Sequence, residues 1–131
     1  MRYGQTKFAN FLFTQALHHR LAAKDSKIKS VCAAPGLAAT NLQVTTAANG
    51  GMPETWIMTF AQSASDGACP LMLASFGEDV KSGDFYEPKG GMKGMPMKTP
   101  LKQREANKEA QDLMWDLCEK ACDVKWEKWD L

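Results

Sequence analysis

Residues 3–17 read YGQTKFANFLFTQAL, and this stretch decides the fold class that the sequence predicts. From Tyr3 to Ala23 the chain has no proline and only Gly4 as a helix breaker. Side chains that recur at intervals of three and four residues lie on one face of a helix. That face comprises Phe8, Phe11, Leu12, Gln15, Ala16 and Leu21. Because Phe13 and Leu17 widen the apolar surface, we expect this helix to be buried on more than one side.

A predicted strand follows the helix after a polar turn over residues 24–27. It spans Ile28–Ala34, and its run from Val31 to Ala34 is continuously apolar. Such a run is typical of a strand in a parallel sheet with both faces covered. Pro35 and Gly36 end the strand abruptly. Helix followed by buried strand indicates an α/β fold.

The middle of the chain combines a loop with two predicted helices. Residues 40–52 are rich in Thr, Ala, Asn and Gly without a clear period, so we predict a mobile or ligand-contacting loop. Pro53 suits the first turn of a helix over Glu54–Ala64. A second helix is predicted over Ser65–Ser75, with Ser65 as its N-cap.

The last part of the chain is predicted as a strand, an irregular segment and a helix. Gly83–Glu87 reads as a short strand, and residues 88–100 read as an irregular surface excursion that carries three methionines. Residues 101–131 read as an amphipathic helical tail. Its predicted apolar face comprises Ala106, Ala110, Leu113, Leu117, Ala121 and Val124. The tryptophans of the tail are expected to pack rather than bind a ligand; they are Trp115, Trp126 and Trp129.

The composition limits the class of protein. A length of 131 residues with 44% hydrophobic residues suits one globular domain and excludes disordered and collagen-like chains. A net charge of +1 gives no basic field to attract nucleic acid or an acidic membrane surface. The longest uncharged stretch, Ser30–Pro53, is broken by prolines and glycines, so it predicts no membrane span.

The cysteines and histidines predict neither a disulfide framework nor a metal site. The four cysteines are scattered along the chain, which is typical of a reducing compartment. The one close pair, Cys118 and Cys122, and the adjacent His18 and His19 do not supply the paired ligands of structural zinc. The N-terminal residues lack the apolar core of a signal peptide. We therefore expect a cytoplasmic protein without a metal.

Tyr3 and Lys7 form the pair of side chains most suited to chemistry. They stand four residues apart at the start of the first predicted helix, so both project from one face. A neighbouring cation favours the phenolate form of a tyrosine, which can then exchange a proton with an alcohol or carbonyl oxygen. Tyr-x-x-x-Lys is a weak motif by itself, and an exposed tyrosine at a helix start is the simpler interpretation.

The order of motifs resembles the C-terminal half of a short-chain dehydrogenase/reductase. The Tyr-x-x-x-Lys helix is followed by a turn, a buried strand and the segment Pro35-Gly36, with Thr40 four residues beyond the glycine. Gly67-Ala68-Cys69-Pro70 and Gly83–Pro88 resemble the last helix and strand of the family's sheet. The tail resembles the terminal helix of members similar to retinol dehydrogenases and carbonyl reductases. The resemblance covers essentially the whole chain in order.

This resemblance implies a set of site residues. Tyr3 and Lys7 match the catalytic tyrosine and lysine, which also contact the cofactor. Pro35, Gly36, Leu37 and Thr40 match the segment that touches the nicotinamide end of NAD or NADP. The implied reaction is hydride transfer between the nicotinamide and a carbonyl or alcohol carbon of a small-molecule substrate. No metal is implied.

The resemblance also implies how the domains are organised. Residues 1–100 would be the C-terminal part of a Rossmann-like, doubly wound parallel sheet, and residues 101–131 a helical tail. The family's glycine-rich turn for the dinucleotide pyrophosphate and its catalytic serine would precede Tyr3. We therefore expect weak or no cofactor binding by the 131 residues alone.

A second hypothesis makes the chain a non-catalytic fragment or interaction module. In that case the Tyr3–Ala23 helix and the helix near Trp56 would keep the family's pairing surface and form a homo-oligomer or bind a full-length relative. The coding sequence immediately before Met1 would separate the two hypotheses.

Overall fold

The computed structural model describes residues 2–39, 61–102 and 107–128. Within these residues the chain forms three α-helices, three short strands and a single turn of 3-10 helix. In chain order they are α1 (Arg2–Ala23), β1 (Cys32–Ala33), α2 (Ala64–Phe76), β2 (Phe85–Pro88), β3 (Pro96–Lys98), α3 (Lys108–Cys122) and the 3-10 turn (Trp126–Lys128).

These elements make a mixed α/β fold, as the sequence predicts. The predicted loop from Thr40 to Met52 lies outside the described residues, as do residues 54–60 of the predicted helix Glu54–Ala64. The described end of that predicted helix is wrong, because Gln62 pairs with Ala38 and Ser63 caps the next helix. Among the helices that are described, none combines the length and apolar character needed to cross a bilayer.

The chain divides into two compact units. The first contains residues 1–32, 81–84 and 100–131, and the second contains residues 33–80 and 85–99. In the first unit α1 packs against α3. The predicted inner face of α1 is confirmed, with one member only half-buried, Phe8, and the others buried: Phe11, Leu12, Gln15, Ala16 and Leu21.

Trp115 of α3 lies at the centre of the first unit's core. Its ring stacks on Phe13, with ring centroids 5.3 Å apart, and meets the edge of Trp126 at 5.5 Å. The guanidinium of Arg20 lies 4.4 Å from the Trp115 ring centroid. Aromatic stacking and cation–π contacts therefore add to the apolar burial of Leu21 and its neighbours.

The predicted apolar face of α3 is wrong. Leu113 and Leu117 are 60% and 54% exposed, whereas Gln111 and Trp115 are buried. A buried tryptophan removes more apolar surface from water than a leucine, and Trp115 also gains its contacts with α1. The helix is therefore rotated to bury Trp115 rather than the leucines. Trp126 is buried as expected, while Ala106 and Trp129 lie outside the described residues.

The predicted tail helix is also shorter than 101–131. Asn107 is its N-cap, and the Asn107 side-chain oxygen accepts a hydrogen bond from the Ala110 N–H at 2.9 Å. Asp123 takes up a left-handed conformation, with φ of 53°, and so ends the helix. Glu119 then accepts the Trp126 N–H at 2.7 Å, which fixes the 3-10 turn that places Trp126 in the core.

The first strand is much shorter than predicted. Only Cys32 and Ala33 are in strand conformation, and Ile28 is 52% exposed. Ser30 explains the difference, because its N–H donates to the hydroxyl of Ser82 rather than to a carbonyl of a neighbouring strand. A side chain thus takes one of the two backbone partners of Ser30, whose carbonyl still accepts the Gly83 N–H at 2.7 Å.

The three strands form a mixed sheet in the order β1-β2-β3. Cys32 N–H donates to Asp84 O and Ala34 N–H donates to Tyr86 O, which is the pattern of a parallel pair. The predicted strand Gly83–Glu87 is confirmed from Phe85, and the predicted irregular excursion is wrong in part. It contains β3, which pairs antiparallel with β2 in the register Tyr86 with Lys98, Glu87 with Met97 and Pro88 with Pro96.

In the second unit α2 packs against β2 and β3. Its N-cap is Ser63 and not Ser65: the Ser63 hydroxyl accepts the Asp66 N–H at 3.0 Å. The same hydroxyl lies 2.7 Å from a carboxylate oxygen of Asp66 and donates to it. These two hydrogen bonds place the N-cap two residues earlier than predicted, and the helix begins at Ala64 instead of Ser65.

Replacement of Trp115 tests which face of α3 is inside. We expect Trp115→Ala to lower the free energy of unfolding by about 3–5 kcal/mol, because it leaves a cavity beside Phe13 and Trp126. Leu113→Ala is the matched control and should change it by less than about 0.5 kcal/mol. Urea unfolding followed by circular dichroism measures both. If Leu113→Ala lowers the free energy of unfolding more than Trp115→Ala does, the buried face of α3 is the one that the apolar spacing predicts.

Asp112 should make the α1–α3 contact sensitive to acid. A hydrogen bond from Lys108 holds the pKa of the Asp112 carboxyl below its usual range, and Arg20 attracts it from 3.5 Å. A carboxyl with a lowered folded-state pKa contributes stability above its unfolded-state pKa, and that stability is lost as the pH falls through the folded-state pKa. Asp112 is partly exposed, so the contribution is at most about 1 kcal/mol.

Comparison with Asp112→Asn isolates this contribution. The stability difference between the unmodified chain and the variant should be largest near neutral pH and should shrink as the pH falls below about 4. Urea midpoints at a series of pH values measure it. A difference that stays constant over this range would assign the pH dependence to other carboxyl groups.

Candidate functional site

Tyr3 and Lys7 lie on one exposed side of the first two turns of α1. Tyr3 is 63% exposed, and the Lys7 ammonium nitrogen is 5.5 Å from the centroid of the Tyr3 ring. Packing of α1 begins only at Phe8, which is half-buried. The pair is therefore brought together as predicted and presents a phenol and a cation to solvent.

Pro35, Gly36 and Leu37 belong to a sharp turn after β1, which we name the Pro35 turn (residues 35–39). Gly36 has a φ of +68°, and a Cβ on it would overlap the Met92 carbonyl oxygen. Only glycine fits there. Leu37 N–H donates to the same Met92 oxygen at 2.6 Å. The turn is thus held against the hairpin loop, residues 89–95.

Gln62 holds the other side of the Pro35 turn. Its backbone N–H donates to Leu37 O and its backbone carbonyl accepts the Ala39 N–H, both at 2.9 Å. Its side-chain amide donates to Pro35 O at 2.7 Å. Sequence reasoning missed Gln62, because a lone polar residue 27 positions away from Pro35 carries no local signal.

The predicted site residues fall into three groups. Tyr3 and Lys7 lie together in the first unit, and Pro35, Gly36 and Leu37 lie together in the second. Thr40 lies outside the described residues.

His18 and Ser82 also carry side chains of types found in active sites. Their contacts show instead that they hold residues 81–84 against α1. His18 Nδ1 is 2.9 Å from the Ser82 hydroxyl, which also accepts the Ser30 N–H at 3.0 Å. A Cβ on Gly83 would be 3.0 Å from the His18 ring. The hydroxyl is therefore occupied in fixing residues 81–84 on α1. Burial lowers the pKa of the neighbouring His19, and His18 adds to the effect.

The described part of the chain contains no group of three or more histidine, cysteine, aspartate or glutamate side chains able to hold a metal ion. All four cysteines are free thiols: Cys32, Cys69, Cys118 and Cys122. Among the predicted site residues that the structure describes, only Tyr3 and Lys7 carry ionisable side chains.

Comparison with known proteins gives a shared fold. No family model matches the chain, and no curated protein matches it. A crystal structure of an uncharacterized protein from Mycobacterium paratuberculosis is similar, with a TM-score of 0.68 and 25% sequence identity. The similarity covers 95% of this chain and 39% of that one, so the chain spans well under half the length of the similar protein.

Two glycine-to-alanine variants test the close approach of the hairpin loop to the Pro35 turn. Gly36→Ala should destabilise the protein by more than about 2 kcal/mol, because alanine resists a left-handed conformation and its Cβ would overlap the Met92 carbonyl. Gly4→Ala, on the open side of α1, should instead stabilise by up to about 1 kcal/mol. Urea unfolding measures both. Equal stability of the two variants would contradict the close approach of the hairpin loop to Gly36.

Proposed function

We propose that this chain is part of an NAD(P)-dependent oxidoreductase of the short-chain dehydrogenase/reductase type. Its substrate class would be a carbonyl compound or the corresponding alcohol. The observation that carries the proposal is the juxtaposition of Tyr3 and Lys7, with the ammonium 5.5 Å from the ring centroid on an exposed helix side. That placement supports the catalytic roles that the motif resemblance implies.

The order and direction of the elements support the proposed Rossmann-like fold. The parallel strands β1 and β2 are connected through α2, and parallel neighbours need such a crossover. The antiparallel β3 at the edge is compatible with this class, because α/β sheets often add one antiparallel edge strand. We propose that these strands are the last part of a larger doubly wound sheet.

Tyr3 would move the proton of the reaction. A nicotinamide bound there would supply or accept a hydride. In reduction the Tyr3 hydroxyl would donate its proton to the substrate oxygen, and in oxidation the Tyr3 oxygen would take that proton back. The Lys7 ammonium would stabilise the negative charge left on the Tyr3 oxygen. Lys7 would also donate a hydrogen bond to the nicotinamide ribose.

The Pro35 turn would hold the nicotinamide ring. Pro35 is exposed and Leu37 is half-buried, so the turn offers apolar atoms to a flat ring. Hydrogen bonds to Met92 and to Gln62 fix the conformation of the turn. The turn therefore loses little conformational entropy when a ligand binds. The residues present therefore fit the nicotinamide end of the cofactor.

Binding of reduced nicotinamide mononucleotide (NMNH) to the 131-residue chain tests this proposal directly. We expect a Kd on the order of 1 mM, which corresponds to about −4 kcal/mol. We expect NADPH to bind within a few-fold of that, because this chain would contribute only the nicotinamide end of the site. Heteronuclear NMR titration measures both. NADPH affinity in the micromolar range would contradict the proposal, because the pyrophosphate site would then lie within these 131 residues.

Variants of the pair separate proton transfer from binding. In the longest polypeptide that the gene encodes, Tyr3→Phe should lower kcat by about 10²- to 10⁴-fold with little change in cofactor affinity. Lys7→Ala should lower kcat and also raise the KM for the cofactor. Steady-state NAD(P)H oxidation measures both.

The matched controls are Tyr86→Phe, at the other tyrosine of the chain, and Lys27→Ala, at an exposed lysine beyond α1. Both should keep the cofactor KM, and Lys27→Ala should keep kcat. If Tyr86→Phe removes activity and Tyr3→Phe retains it, the assignment of the motif is wrong.

A further inference from the structure

We propose that Gln62 sets the orientation of the peptide between Pro35 and Gly36 and thereby aims the Gly36 N–H at a carboxamide ligand. The part that concerns the ligand rests on the proposed function. The part that concerns the peptide rests only on contacts within the second unit.

Both ends of the Gln62 side-chain amide are used. Its nitrogen donates to Pro35 O at 2.7 Å, and its oxygen accepts the Gly94 N–H at 3.1 Å. The amide nitrogen of Gln62 faces a carbonyl, and its oxygen faces an N–H. Reversing the amide would lose both hydrogen bonds, so only one orientation is favourable. Gln62 therefore connects the Pro35 turn to the hairpin loop through one rigid group.

The peptide between Pro35 and Gly36 has two accessible orientations without such a bond. A peptide plane in a turn rotates by changing ψ of the residue before it and φ of the residue after it. Gly36 populates positive and negative φ about equally, so its own backbone does not prevent the rotation. The hydrogen bond to Pro35 O selects the orientation in which Gly36 has a φ of +68°.

Fixing Pro35 O also fixes the Gly36 N–H. The described peptide bonds are all trans, and in a trans peptide the C=O and N–H vectors are antiparallel. The Gly36 N–H must therefore point away from the Gln62 amide. A backbone N–H of fixed direction beside an apolar turn is suited to the oxygen of a planar carboxamide, the polar group of nicotinamide.

The hairpin loop supports this arrangement. Met92 O accepts the Leu37 N–H at 2.6 Å, one residue beyond Gly36, and Gln62 bonds to Gly94 of the same loop. The loop thus holds Gln62 and the turn in one register. We assign Gln62 as a positioning residue, because its own amide is already bonded at both ends.

Two variants of Gln62 separate its two bonds. Gln62→Ala removes both, whereas Gln62→Glu keeps an acceptor for the Gly94 N–H and places a second oxygen against Pro35 O. Residual dipolar coupling of the Gly36 N–H reports the direction of the peptide, and hydrogen exchange reports protection of the Gly94 N–H. Gln5→Ala, on the exposed part of α1, is the control.

We expect both variants to average the Gly36 coupling and to weaken NMNH binding by about tenfold, the effect of losing one hydrogen bond. Gly94 protection should fall about tenfold in Gln62→Ala alone. A Gly36 coupling and an NMNH Kd that Gln62→Ala leaves unchanged would overturn the proposal. If the unmodified chain shows no response to NMNH, the ligand part of this inference fails, whereas the proposed function is refuted by micromolar NADPH binding. The Gly36 coupling then decides the peptide orientation by itself.

Discussion

The packing of α1 around the Trp115 indole is the contact on which the first unit depends. Phe13, Arg20 and Trp126 all meet this ring, by stacking, by a cation–π contact and by an edge contact. Two of them belong to α1, so the same interaction buries the inner face of that helix and fixes its axis. The Tyr3–Lys7 pair lies on the outer end of that helix.

A different constraint governs the second unit. There the closest approach is between two stretches of backbone, Gly36 and the Met92 carbonyl, and Gln62 bonds the turn from the other side. Hydrogen bonds and a missing Cβ therefore define the Pro35 turn, together with the burial of Ala38 beside Gly67 of α2. Turns of this kind are well suited to ligand contacts, because their shape changes little on binding.

The sequence predicts correctly the features that depend on residues close together in the chain. The inner face of α1 follows from apolar spacing, and the strand around Tyr86 follows from its flanking breakers. The face of α3 could not be predicted in that way, because Trp115 competes with Leu113 and Leu117 through partners some hundred residues earlier in the chain, Phe13 and Arg20. The role of Gln62 could not be predicted either, because its hydrogen bonds join residues far apart in sequence. The roles of Tyr3 and Lys7 came from the order of motifs, and they remain a prediction.

The most direct test of the account is a nuclear Overhauser measurement on the 131-residue chain in the presence of NMNH. The central proposal is that Tyr3 would stand beside the nicotinamide carbon that exchanges hydride. It predicts cross-peaks from the proton at C4 of the reduced ring to the aromatic protons of Tyr3. Cross-peaks confined to other residues, with none to the Tyr3 ring, would contradict it.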